Sequence, residues 1–420
     1  MLKFLVDLLS QASVLIALVT MVGLLLQRSP LNEVISGTMK SFIGFIILGA
    51  GAGVIVTALE PFGAMFQEGF KVQGVVPNNE AIVAMALQKY GTQTSLVMIG
   101  AFFVHLLIAR LTPLKYIFLT GHHIFYMACM ITAILAAGGL VGIKLIGVGA
   151  VATALVMSIS PMLTKWAMPD IVGKGTNIGM GHFSNITYAT SALIGKYLGN
   201  RGRSTEDIKM TTKLAFLRDN ILVIALTMSV FYIIVAVVAG REFVETKFSG
   251  GQNYIVYALI QAASFAAGVS IVLSGVRMII GEIVPAFSGI SKKLVPNSSP
   301  ALDCPIIFPY APNAVIIGFL VSFAGGIAGL FALRALGGPL ILPGVVPHFF
   351  VGATAGVFGN STGGLRGCIL GSFVNGLLLA FLPVVLLPVL GDFGFANTTF
   401  SDADFVGAGW VIGEILKFFK

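Results

Sequence analysis

Five histidines stand out in a chain of 420 residues that is 57% hydrophobic and only 10% charged. His122 and His123 lie in LTGHH, directly after a glycine at the start of an apolar run. His182 lies in the glycine-rich NIGMGHFSNIT, His348 follows Pro347, and His105 sits alone within GAFFVHLLIAR. Two carboxylates adjoin proline–asparagine breaks: Glu80 in GVVPNNEAI and Asp303 in KLVPNSSPALD. An ionisable group inside an apolar segment is costly to place, so it marks a functional site by default. A carboxylate accepts two hydrogen bonds at once, and the vicinal hydroxyls of a sugar offer two donors, so Glu80 and Asp303 suit a polyhydroxy ligand. His122 and His182 sit at helix starts, where free N–H groups and the helix dipole favour an anionic or polar ligand. The plainer alternatives are a helix cap or an ion pair for each carboxylate. His105 reads as a hydrogen-bonded structural residue, and one of His122 and His123 is expected to point away from the site. Arg277 and Glu282 read as an ion pair with each other.

Other chemistries find little support. There is no H-E-x-x-H pattern and no G-x-x-x-x-G-K-[ST] loop, so neither zinc-dependent hydrolysis nor ATP hydrolysis by this chain is expected. The histidines are scattered in sequence and make no recognisable metal set; no metal, no cofactor and no catalytic residue is assigned. Cys129, Cys304 and Cys368 are far apart, without C-x-x-C, and read as apolar fillers. The net charge of +8 comes from basic residues scattered at segment ends, a membrane-topology signal rather than a nucleic-acid footprint.

The elements that carry these residues must cross a bilayer. A soluble domain carries about 25% charged residues, and this chain cannot hide so much apolar surface in one globule. Apolar runs near spanning length occur at 10–27, 42–59, 94–111, 117–138, 142–165, 220–240, 254–281, 314–336 and 368–390, with ambiguous ones at 339–359 and 402–419. The fold class is therefore an all-α polytopic membrane protein of about ten or eleven transmembrane helices, with re-entrant or broken and amphipathic helices besides. The first run, followed by Gln27-Arg28-Ser29-Pro30 without a small-residue cleavage site, reads as a retained span. Residues 28–40 and 285–297 read as amphipathic pieces lying in the interface. The basic stretch 195–218, with Lys196, Arg201, Arg203, Lys209, Lys213 and Arg218, reads as cytosolic.

Three short matches recur in order at nearly constant spacing. Val76-Pro77-Asn78 is answered by Val295-Pro296-Asn297, the Gly53 and Glu60 pair by Gly275 and Glu282, and Leu119-Thr120-Gly121 by Leu342-Pro343-Gly344. Two repeats of inverted topology, roughly 41–165 and 262–390, are expected on either side of the basic segment. Transporters built from such repeats place the ligand where paired segments are broken, because unpaired backbone is tolerated only along a cavity. The glycines of GAGAG (49–53) serve either helix packing or ligand approach.

The blocks YIFLTGHHIFYMA, GMGHFSNITY, RDNILVIALTM, GVRMIIGEIVPAFSGISKKLVP and ALDCPIIFPYAPNAV resemble, in order and over nearly the whole chain, the membrane (IIC) component of the bacterial phosphoenolpyruvate-dependent phosphotransferase system, L-ascorbate branch. The resemblance implies a homodimer in the bacterial cytoplasmic membrane. It implies interleaved core and V-shaped domains, the core binding substrate and moving like an elevator. A cytosolic EIIB protein, charged through EIIA, would phosphorylate the sugar, with phosphoenolpyruvate as ultimate donor. By motif, the implied substrate contacts are Gly51, His122, His182 and Asp303. The family pattern has Thr-Tyr at Asn79-Glu80 and glutamine at Tyr126 and Phe183, so these four positions join the implied site. Glu80 would suit a neutral sugar or polyol better than an anion. An ion-coupled transporter using Glu80 or Asp303, or a membrane enzyme using histidine and aspartate, are the remaining alternatives.

Overall fold

The computed structural model describes residues 11–71, 74–75, 77, 79–175, 178–208, 220–391 and 399–418. In chain order the helices are α1 (Ala12–Gln27), α2 (Leu31–Phe70), α3 (Asn79–Leu111), α4 (Gly121–Ala137), α5 (Gly142–Thr164), α6 (Met168–Val172), α7 (Asn185–Leu198), α8 (Asn220–Ala239), α9 (Arg241–Lys247), α10 (Tyr254–Lys293), α11 (Pro312–Ala335), α12 (Ala353–Gly391) and α13 (Ala403–Phe418). Three short strands interrupt them: β1 (Tyr116–Phe118), β2 (Gly179–Met180) and β3 (Ser299–Leu302). The chain is an all-α polytopic membrane protein. Among the described residues, five helices are long and apolar enough to cross a bilayer, and four shorter apolar helices accompany them. On α5, Val148, Val151, Leu155, Ile159 and Leu163 are exposed at helical spacing, while Leu145, Gly149, Thr153 and Met157 are buried. That exposed stripe needs lipid, not water, as its solvent.

Residues 28–40 and 285–297 are not separate interfacial helices. Leu31 to Lys40 opens the continuous 40-residue α2, and Pro285 to Lys293 closes the equally long α10. Nothing between Leu31 and Phe70 forces a stop, and Pro61 and Pro285 are accommodated inside these helices, as neighbouring helices allow in a membrane. Both ends of α10 fall 223 residues after those of α2. The two helices pack together closely enough that a Cβ on Gly268 would meet the Gly51 carbonyl. Glu282 of α10 pairs with Lys40 of α2 at 2.9 Å, not with Arg277 as its sequence neighbourhood suggested.

Breaks are placed where the sequence supplies the means. α3 kinks at Tyr90, which separates a short arm, 79–89, from the span Lys89–Leu111. α12 breaks at Gly363 and Gly364, the latter at φ 59, a left-handed conformation that glycine adopts without strain. There the chain turns back, so that Gly359 and Gly367 lie against each other with no room for a Cβ on either. The loop after α7 covers this break: Asn200 N–H donates to the Gly363 carbonyl at 2.8 Å and Leu365 N–H to the Arg203 carbonyl at 2.7 Å. Lys209, Lys213 and Arg218 lie outside the described residues.

The strands form a parallel sheet in the order β1-β3-β2, with Phe118 opposite Ala301 and Met180 opposite Leu302. Elsewhere Val75 bridges Ile341, with Val75 N–H to the Leu340 carbonyl at 2.8 Å and Leu342 N–H to the Val75 carbonyl at 2.9 Å. The pairing is reciprocal: each half's pre-helix segment pairs with an extended segment of the other half. This satisfies backbone groups that a bilayer interior could not. Two apolar cores flank the sheet, one around Phe265, Phe323 and Phe358, the other around Met130, Phe118 and Phe405. Ile178 and Ile306 touch both.

Candidate functional site

The parallel sheet positions the site. Three parallel strands end side by side, so the residues just beyond their C-terminal ends converge. β1 leads through Leu119, whose N–H donates to the Ala301 carbonyl at 3.0 Å, to His122 in the first turn of α4. β2 leads through Gly181, whose N–H donates to the Leu302 carbonyl at 2.7 Å, to His182. β3 ends directly at Asp303. Gly181 is required here, because a Cβ would collide with the Ala301 carbonyl.

His122 Nε2 lies 3.6 Å from Asp303 Oδ2, with the two side chains 24% and 18% exposed. Asp303 Oδ1 accepts the Cys304 N–H at 2.7 Å, so the residue also caps the short helical turn 304–310. Its cap role and its place in the site coexist. Tyr126 stands edge-on to His122, with ring centroids 5.9 Å apart. Phe183 is fully buried, stacked on Phe118 at 4.4 Å and edge-on to His123. His123 does not point away: its ring lies 4.7 Å from that of His122 and 4.1 Å from that of His182.

His182 links this group to a second carboxylate. Its Nδ1 shares a 2.9 Å hydrogen bond with the Tyr188 hydroxyl, and its Nε2 lies 3.9 Å from Asp402 Oδ1. Asp402 is only 4% exposed. It accepts hydrogen bonds from Asn79 Nδ2 at 2.6 Å, Ser184 Oγ at 2.9 Å and Ser401 Oγ at 3.0 Å. Asn79 Oδ1 in turn accepts the Ser401 N–H at 3.0 Å. Two residues on, Asp404 accepts the N–H groups of Asn185 (3.2 Å) and Ile186 (3.0 Å), capping α7 from a different helix. A buried carboxylate is retained only when hydrogen bonds replace its water in this way.

The arrangement thus joins Asn79, His122, Tyr126, His182, Phe183 and Asp303 in one connected group. Glu80 stands in the first turn of α3, but its side chain lies outside the described residues. Gly51 is buried where α2 crosses Gly268 of α10 and is not among the residues joined to this group above. His348 stands apart, bonded to Ser322 Oγ at 2.8 Å. His105 is structural: Ser158 Oγ lies 2.7 Å from its Nδ1, and its Nε2 accepts the Phe118 N–H at 3.0 Å. The sequence reading missed Asp402, Asp404 and Tyr188. The available signal was SDAD at the start of the apolar run 402–419, two acids where a span was in question.

Chemically, the group offers imidazoles and carboxylates to a polar ligand, with aromatic faces as walls. The nearest thiol is a poor nucleophile, since burial and then the adjoining Asp303 push Cys304 well above its ordinary pKa. Three of the five histidines, scattered in sequence, come together in space: His122, His123 and Asp303 form one set of potential metal donors, and His182, Asp303 and Cys304 another.

Long apolar helices around a polar cluster at the ends of three short strands define a polytopic membrane protein. The model of a family described as the PTS system sugar-specific permease component matches residues 7–404, and the chain belongs to that family. Membership implies a sugar as substrate, a membrane location and cytosolic EIIA and EIIB partners. The chain is also 26% identical, over 457 aligned residues, to a protein of Mycoplasma pneumoniae named as an ascorbate-specific PTS system EIIC component; the match covers 95% of this chain and 67% of that one.

Proposed function

We propose that this chain is the EIIC subunit that carries L-ascorbate across the bacterial cytoplasmic membrane as a homodimer, with cytosolic EIIB phosphorylating the sugar on arrival. The carrying observation is the convergence of His122, His182 and Asp303 at the ends of three parallel strands drawn from both halves of the chain. The name of the Mycoplasma pneumoniae relative supports ascorbate. The equal lengths of α2 and α10, and the reciprocal pairing of Val75 with Ile341 and of β1 with β3, support two repeats at 41–165 and 262–390. Movement of a core against a dimerising frame belongs to the same proposal, as does phosphoenolpyruvate as ultimate donor with no cofactor held by this chain.

A second reading, a neutral sugar or polyol, is favoured by one specific observation. His182 stands between two carboxylates, Asp303 and Asp402, and a carboxylate beside an anion is unfavourable unless it is paired or protonated. Calorimetric titration of the purified protein with ascorbate and with a panel of neutral sugars and polyols separates the two. Saturable ascorbate binding supports the first; binding confined to a neutral ligand replaces it with the second. An ion-coupled carrier using Asp303 or Glu80 would instead accumulate unmodified sugar without partners.

A further inference from the structure

We propose that this polar cluster also binds one thiophilic divalent cation of the zinc class, held by His182, Asp303 and Cys304. The three donors are a nitrogen, an oxygen and a sulfur, all within 4.8 Å of one another. Zn²⁺ takes this mixture of ligands and prefers four of them in a tetrahedron. The fourth ligand is a water, or His122 after it moves toward the other donors from its present 3.6 Å from Asp303 Oδ2. Donors up to 4.8 Å apart have to close by at most about 1.4 Å to reach the edge of about 3.4 Å that zinc–ligand bonds near 2.1 Å produce.

The donors are already oriented from behind. The Tyr188 hydroxyl occupies His182 Nδ1, so the ion would take Nε2, which also faces Asp402 Oδ1 at 3.9 Å, and the Cys304 N–H occupies Asp303 Oδ1, so the ion would take Oδ2. Zinc-binding histidines are held through their second ring nitrogen in the same manner. Asp303 and His122 are partly exposed while His182 and Cys304 are buried, so the ion enters from the side on which a sugar would sit. As the metal–sulfur bond forms, the thiol proton leaves to water, and the ion is held by thiolate. Its competition with sugar rests on the function proposed above; its binding does not.

The test uses the full-length purified protein and Co²⁺ as a spectroscopic stand-in for Zn²⁺. The expected result is one ion per chain with a thiolate-to-cobalt charge-transfer absorption, which Zn²⁺ displaces. Cys304→Ser loses the absorption and binds Zn²⁺ at least about tenfold more weakly; Asp303→Asn also weakens it, which guards against one variant failing to fold. Absence of the absorption, or the same absorption in Cys304→Ser, overturns the proposal. In transport vesicles Zn²⁺ slows sugar uptake, and in Cys304→Ser it no longer does. A cobalt signal in a protein that binds no sugar leaves the metal site standing and removes the function proposed above.

Discussion

Asp402→Asn removes one charge from the centre of the polar cluster and keeps its shape. The orientation of the new amide can be worked out. Asn79 Oδ1 is already committed to the Ser401 N–H at 3.0 Å, so Asn79 must keep presenting its Nδ2 to position 402. The asparagine therefore keeps its oxygen toward Asn79 and turns its NH₂ toward Ser184 Oγ and His182 Nε2. Ser184 can accept by rotating its hydroxyl. A His182 tautomer with its proton at Nδ1, toward the Tyr188 hydroxyl, turns an unprotonated Nε2 to the new NH₂ 3.9 Å away and avoids two donors facing each other. Three hydrogen bonds to a charged acceptor, at about 1.5–3 kcal/mol each, become neutral ones at about 0.5–1.5. Relief from burying a charge offsets part of that loss. The net cost is about 1–3 kcal/mol in stability, and sugar affinity falls by about tenfold per 1.4 kcal/mol that reaches the site. Thermal unfolding and calorimetric titration of the same detergent-purified sample read the two effects. Asp402→Ala, which leaves Asn79 Nδ2 without its acceptor, should be worse in both. Wild-type melting and wild-type affinity in Asp402→Asn and Asp402→Ala would refute the reasoning.

His122→Ala and Asp303→Asn should each lower sugar affinity by about 1–3 kcal/mol while the oligomer elutes unchanged from a sizing column; undiminished affinity removes that residue from the site. His105→Ala serves as the structural control. It strands the buried Phe118 N–H and should cost about 1–3 kcal/mol in thermal unfolding, with little change in affinity. Gly181→Ala drives a Cβ into the Ala301 carbonyl, so the sheet must open and the protein should lose its cooperative melt; a normal melt would mean that β2 and β3 are not paired as described.

The membrane class and the proline–asparagine breaks before α3 and β3 are legible in the sequence, because both rest on local composition, whereas the breaks at Tyr90 and at Gly363 and Gly364 were not read from it. His122, His182 and Asp303 are legible for the same reason, as polar residues next to such breaks. The structural role of His105 follows from its isolation in an apolar helix. What is not legible depends on distant partners. Asp402 meets Asn79 across 323 residues of chain and Ser184 across 218, and no local pattern announces either. Lys40 and Glu282 find each other only because α2 and α10 pack together. The matched segments at 76–78 and 295–297 mark equivalent breaks, and the structure supplies the partners that follow or precede them, Val75 with Ile341 and β3 with β1. Sequence similarity locates equivalent parts and leaves open which parts touch. Helix continuity also misled: charged residues at the ends of α2 and α10 look interfacial, but an unbroken backbone carries them on from the span.

The central claim is that uptake is tied to phosphoryl transfer by partner proteins. The direct measurement is uptake of labelled ascorbate into vesicles containing this chain, with purified EIIA, EIIB, the general phosphotransfer proteins and phosphoenolpyruvate on the cytosolic side. The account predicts that label appears inside as the sugar phosphate and that omitting EIIB or phosphoenolpyruvate abolishes accumulation. Accumulation of unmodified ascorbate without those partners, driven by an ion gradient, would contradict it.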